Sequence, residues 1–290
     1  MTHWHDYLQL TKPKVVFLML ITALVGMQLA TPSMIPLPIL FFGLIGIGLA
    51  AACAAVLNHI VDQKKDKIMQ RTVNRPIPQA RISQSHAIIF ACTLGLASMF
   101  VLTVYVNPLT AILSLLSLIG YAFFYTVILK RLTPQNIVIG GLAGAMPPLL
   151  GWSAVTGQIN ADALLLVLII FIWTPPHFWS LAIHRRDDYA KAQIPMLPVT
   201  HGIEFTKLCI LLYTILLLPI TLLPYLVGMS GFIYLAGILI LDIIFIVYAV
   251  LLKYRPQPLS AIKTFHFSNI YLCLLFALLL IDHFSIGTLS

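Results

Sequence analysis

The 290-residue sequence predicts an all-α, polytopic membrane protein in which nine helices cross the bilayer. Three observations carry that expectation. Hydrophobic residues make up 60% of the chain and charged ones 9%, with a mean hydropathy of +0.98. A soluble domain averages ~25% charged residues, because its surface meets water. The apolar residues gather into runs of the ~17–25 that a spanning helix needs, too long for the ~9–11-residue strands of a membrane barrel. Finally, every Lys and Arg falls in or at the edges of alternate polar segments flanking those runs.

The first run, Lys14–Ala30, follows two lysines as a signal sequence would. No small-x-small cleavage site follows it, and Thr31–Pro36 leads into another span, so it is expected to be retained. The second run, Leu37–Val61, ends in a long polar connection holding Lys64, Lys65, Lys67, Arg71, Arg75 and Arg81. Runs three and four, Ala87–Val106 and Leu109–Leu129, meet at Asn107, and Lys130 and Arg131 follow them. Runs five and six, Gln135–Val155 and Ala161–Ile183, flank Thr156–Asn160 and lead to Arg185, Arg186, Lys191 and Lys207. Runs seven and eight, Phe205–Val227 and Gly231–Leu252, meet near Met229-Ser230. Lys253, Arg255 and Lys263 then precede run nine, Thr264–Phe284.

With Lys12 and Lys14 these are all 17 basic residues, and they share one side. By the positive-inside rule that side is cytoplasmic. The expectation is a multi-pass protein of the bacterial cytoplasmic (inner) membrane, with the N-terminus inside and the C-terminus on the opposite side. The net charge of +8 is then a matter of topology, and no nucleic-acid partner is expected. Cys53, Cys92, Cys209 and Cys273 have no short spacing and read as small buried hydrophobes, not as a disulfide framework or a zinc site. Residues 1–290 read as a single transmembrane domain. Acidic residues follow helix two and again helix six, which fits two related four-helix units plus a ninth helix.

Asn58, Asp62 and Asp66 recur every fourth residue at the end of run two. That spacing drifts slowly around a helix and covers ~12 Å along it, so three oxygen-bearing side chains face one cavity. Hard oxygen ligands on one face suit Mg²⁺, which keeps waters and bridges one or two carboxylates to substrate phosphates. Arg71 and Arg75 follow closely and supply donors for phosphate oxygens. Asn58 extends the polar stripe into apolar helix, and intramembrane polar groups are costly enough to mark function.

A second constellation follows run six: His177, His184, then Asp187 and Asp188 between Arg185, Arg186 and Lys191. It repeats carboxylates and cations at a helix end, with Asp187 and Asp188 as metal ligands and Lys191 as a phosphate contact. Tyr121, Tyr125, Lys130 and Arg131 bracket the end of run four and read equally as diphosphate contacts or as topology anchors with interfacial aromatics. Asp242 lies mid-helix in run eight, where it must be protonated, paired or cavity-facing.

The stretches Leu10–Lys14, Asn58–Pro76, Tyr125–Arg131, Gly140–Pro148 with Gly151-Trp152, and Trp173–Pro198 resemble the UbiA-type intramembrane prenyltransferases. Gly140–Trp152 and Pro175–Pro198 resemble its haem-directed branch in particular. The resemblance implies nine helices around a central cavity open to the cytoplasmic side and lipid. It implies Mg²⁺-dependent transfer of a farnesyl group from farnesyl diphosphate to a vinyl group of haem B, with water addition giving haem O for terminal oxidase biogenesis. By motif match Asn58, Asp62, Asp66 and Asp188 are the catalytic set. A downstream haem A-forming enzyme or the oxidase assembly is the implied partner. Many relatives space two acids four apart in the second motif, whereas here Arg185 and Tyr189 flank Asp187-Asp188 at those positions.

In this scheme cations and metal stabilise the departing diphosphate, and a dry cavity with Tyr121, Tyr125, Phe178 and Trp179 as candidate walls shelters the farnesyl cation. His177 and His184 are candidates to approach the haem iron. Two alternatives use the same ligands: prenyl transfer to an aromatic quinone precursor, and transport of a phosphorylated metabolite. Broken half-helices at mid-membrane would mark the transporter.

Overall fold

The computed structural model describes residues 4–287, and the described residues form helices and loops with no strand. Helix α1 (Trp4–Leu10) and α2 (Pro13–Leu29) are bent by 52° at a break. Pro13 starts α2, and Lys12 before it takes the left-handed φ of 51°, a conformation that L-residues adopt at some cost. A 30-residue α3 (Leu37–Asp66) follows, then α4 (Gln84–Tyr105) and α5 (Pro108–Ile119). The last continues as a ten-residue π-helix (Gly120–Leu129) and ends in α6 (Lys130–Leu132). Next come α7 (Asn136–Ala145) and α8 (Pro147–Thr156), parted at Met146, where two prolines begin α8. The rest is α9 (Ala161–His184), the short α10 (Arg186–Lys191) and α11 (Leu197–Thr200), then α12 (Gly202–Leu226), α13 (Phe232–Tyr254) and α14 (Ser260–Gly287).

Among the described residues eight helical stretches are long and apolar enough to cross a membrane, and the α1–α2 pair makes a ninth. The nine runs of the sequence match them one for one. Contacts between loops agree with the alternation of charge. At the basic end Arg131 donates to Val61 O at 3.1 Å, Lys65 to Gln193 O at 3.3 Å, and Lys253 to Glu204 Oε2 at 3.2 Å. At the other end Asn107 donates to Ser153 O at 2.9 Å, and the Asp282 carboxylate accepts from the Gly231 and Tyr234 amides that open α13.

The main core lies between α2, α8, α9 and α12–α14, around Trp152, Leu166, Ile169, Leu217, Tyr271 and Leu275. There α2 and α8 approach at glycines. A Cβ on Gly26 would stand 2.1 Å from Pro148 O, and one on Gly151 would stand 1.9 Å from Ala23 O. Small residues allow such backbone contact between membrane helices. The expectation that the cysteines are buried holds for Cys53 but not for Cys92 and Cys273, which are exposed on the outer face. An apolar exterior accommodates a thiol as readily as a core does. Asp242 is paired: it accepts from Tyr271 Oη at 2.5 Å and Thr221 Oγ1 at 2.8 Å, tying α12, α13 and α14 together.

Candidate active site

The end of α3 is helical through Asp66, so the four-residue spacing brings Asn58, Asp62 and Asp66 onto one buried face. Asn58 is the centre of a hydrogen-bonded junction. Its Nδ2 donates to Asp62 Oδ2 at 3.0 Å and to Thr126 Oγ1 at 3.3 Å, and its Oδ1 accepts from Lys12 Nζ at 2.5 Å. Thr126 gives its own proton to Tyr121 O at 2.8 Å, which leaves it as the acceptor and fixes the orientation of the Asn58 amide.

Both carboxylates of the stripe have a cation. Lys130 Nζ lies 2.5 Å from Asp62 Oδ2, and Arg75 Nη1 lies 2.7 Å from Asp66 Oδ2. The π-helix delivers Lys130, and the turns after α3 fold Arg75 back over Asp66.

The second constellation is docked onto the first. Lys65 donates to Ala192 O and Gln193 O, and Arg71 Nη2 donates to Tyr189 Oη at 3.1 Å with its guanidinium 5.2 Å from the ring centre. Tyr189 is buried with Met69, Ile194 and Met196, and burial raises its phenol pKa, partly opposed by Arg71. Asp188 stands 4.0 Å from Arg185, partly buried, while Asp187 and His184 are exposed. Lys191 is exposed at the end of α10.

Among the described residues no three His, Cys, Asp or Glu side chains form a closed metal cage. The donor set is nonetheless suited to Mg²⁺. Asp62 and Asp66 each spend only Oδ2 on protein partners, leaving one oxygen apiece on the same helix face. Mg²⁺ is commonly held by one or two carboxylates, with water and substrate phosphate completing the shell.

Beside this cluster lies a cavity of about 640 Å³. Lys12 and Tyr121 stand at its polar end, α3 offers Ala50, Ala51, Ala54 and Ala55, and Trp173, His177 and Phe265 form an aromatic wall. Such volume with few polar groups is typical of a small-molecule site. Of the aromatics expected to line it, Tyr121 does, whereas Tyr125 is buried against Gly140 and Trp179 packs on Tyr213. Phe178 packs partly buried in the same cluster as Trp179. Trp173 and His177 are four residues apart and so share a helix face, a spacing that marks them in the sequence. Lys12, Thr126, Phe265 and Ser268 were not identifiable as site residues from local pattern.

The UbiA prenyltransferase family matches residues 19–275. Protoheme IX farnesyltransferase 2 of Pseudoalteromonas atlantica is 60% identical over 282 residues, 97% of this chain and 92% of that protein. The protoheme IX farnesyltransferase of Legionella pneumophila is 58% identical over 281 residues, 97% of this chain and 96% of that protein. Among solved structures, that of a digeranylgeranylglyceryl phosphate synthase superposes with a TM-score of 0.82 at 21% identity, over 98% of this chain and 100% of that one. A UbiA homologue from Archaeoglobus fulgidus bound to GPP and Mg²⁺ superposes with a TM-score of 0.65 at 16% identity, over 94% and 99%. At those identities the two structures bear on the fold.

Proposed function

The chain belongs to the UbiA prenyltransferase family, and from that membership we propose that it transfers the farnesyl group of farnesyl diphosphate to a vinyl group of haem B, with addition of water, giving haem O. The near full-length identity to protoheme IX farnesyltransferases supports the choice of substrates. One geometric observation supports the chemistry: a stripe of buried carboxylates and cations opens beside an apolar, aromatic-walled cavity.

Lys12, Arg71, Arg75 and Lys130 hold the diphosphate, with Arg131, Lys191 and Tyr125 at the periphery. Asn58, Asp62 and Asp66 would hold Mg²⁺, with Asp187 and Asp188 of α10 as candidate ligands from the second motif; when bound, the ion neutralises charge on the departing diphosphate. As the anion arrives, Lys130 and Arg75 turn from their carboxylates towards phosphate oxygens, so no cation is buried without a partner. The allylic C1–O bond breaks and the diphosphate leaves with the electron pair. The vinyl carbon of haem B bonds to C1, and water captures the resulting cation beside the porphyrin and releases a proton. The apolar wall keeps water from the farnesyl cation before that bond forms. The basic end faces the cytoplasm of a bacterial inner membrane, where the soluble diphosphate has access.

The test is product mass. Purified chain with haem B, farnesyl diphosphate and Mg²⁺ should yield haem O, and EDTA should stop the reaction until Mg²⁺ is restored. Folded chain that prenylates a quinone precursor but not haem would overturn the assignment.

A further inference from the structure

A serine hydroxyl has one proton to give. Ser268 Oγ donates its proton to Phe265 O at 2.7 Å, within α14. With that proton on Phe265 O, its 2.8 Å contact with His177 Nδ1 on α9 is one in which the imidazole Nδ1–H donates. The other ring nitrogen, Nε2, then carries the lone pair. The ring is held as well as polarised. It stacks on Trp173 at 4.2 Å and lies 4.7 Å from Phe265, while Trp173 Nε1 donates to Ser268 O at 2.9 Å.

His177 is the one imidazole among the described residues lining the cavity, and no carboxylate lines it. A neutral histidine whose second nitrogen is anchored on an oxygen acceptor is the usual arrangement of a metal-ligating imidazole, and histidine is a common axial ligand of haem iron. Building on the haem reading above, we infer that Ser268 holds His177 in its Nδ1–H tautomer so that Nε2 ligates the iron of the haem substrate. Ser268 is the positioning residue. The bond fixes the distance of the porphyrin from the Trp173–Phe265 wall.

The experiment adds ferric haem B to the purified full-length chain, without diphosphate, and reads optical and electron paramagnetic resonance spectra. Resonance Raman of the reduced complex reads the iron–histidine stretch directly on the unmodified protein. The expected result is a histidine-ligated iron that His177→Ala loses, that added imidazole restores in that variant, and that His184→Ala retains. Ser268→Ala, which keeps the ring and its stacking, should weaken haem binding by roughly 10–100-fold, as loss of a ligand's hydrogen-bond anchor commonly does. An unmodified protein without the iron–histidine stretch, a stretch that persists in His177→Ala, or unchanged affinity in Ser268→Ala overturns the inference. Haem O formation is measured in parallel: a chain that makes haem O with no ligated iron loses this inference alone, whereas one that makes none loses the farnesyl-to-haem reading.

Discussion

Asp62 accepts both of its hydrogen bonds through a single oxygen and is buried beside Lys130. Removing the carboxylate strands an ammonium, and breaking a buried pair from one side costs roughly 3–5 kcal/mol. Asp62→Ala should therefore lower the melting temperature as well as reduce kcat by roughly 10²–10³-fold, the scale of losing a preorganised charge-stabilising group. Adding Lys130→Ala should recover much of the stability and none of the rate; thermal scans alongside steady-state kinetics separate the two. Tyr189 makes the contrasting case. Tyr189→Phe keeps the cation–π contact with Arg71 and deletes one hydrogen bond, worth about 1 kcal/mol, so a rise in KM of no more than about fivefold is expected. A drop in kcat instead would move Tyr189 into the reaction itself. The Asn58–Asp62–Asp66 stripe was legible because its spacing alone assigns a face. Lys12 was not, because its lysine reads first as a topology charge and only the bend before α2 carries its ammonium to a residue 46 positions on.

Two helical elements set where those side chains stand. At the α2–α8 crossing both backbones touch, and Gly26 and Gly151 would each force a Cβ onto a carbonyl that cannot swing aside. Gly26→Ala and Gly151→Ala should each destabilise the folded chain by about 1–3 kcal/mol or more, the usual cost of overpacking, visible as a lowered midpoint in detergent. Gly144→Ala has open space before it and serves as the control. The π-helix is a different kind of device. Its extra residue per turn rotates everything beyond it, and π segments recur at functional sites. Phe123 in its middle is exposed on the outer face, so Phe123→Ala should leave turnover near normal. Deleting Phe123 altogether should abolish turnover, because one residue less in this segment changes the phase at which Lys130 meets Asp62. Activity surviving the deletion would show that the winding is incidental. Nothing in the residues from Gly120 to Leu129 announces this winding, since an apolar run reads as α-helix whatever its pitch.

At the scale of the molecule the count of spans predicts termini on opposite sides. In intact cells a protease site appended at the C-terminus should be cleaved from outside and one at the N-terminus should be protected. Cleavage of both from one side would mean that the α1–α2 pair does not cross. The number of spans was legible because hydropathy and basic residues report it independently. The aromatic wall was not, since no sequence spacing links Trp173 and His177 to Phe265 and Ser268, some ninety residues later. That separation also bears on how the protein comes into being. The cavity is walled by α2 and by α14, and α2 leaves the ribosome about 230 residues earlier. Until α14 is inserted the cleft stands open along the length of the missing helix. A nascent chain therefore carries the Asn58–Asp62–Asp66 stripe well before it has the aromatic wall, which is complete only once α14 has packed against α2 and α9.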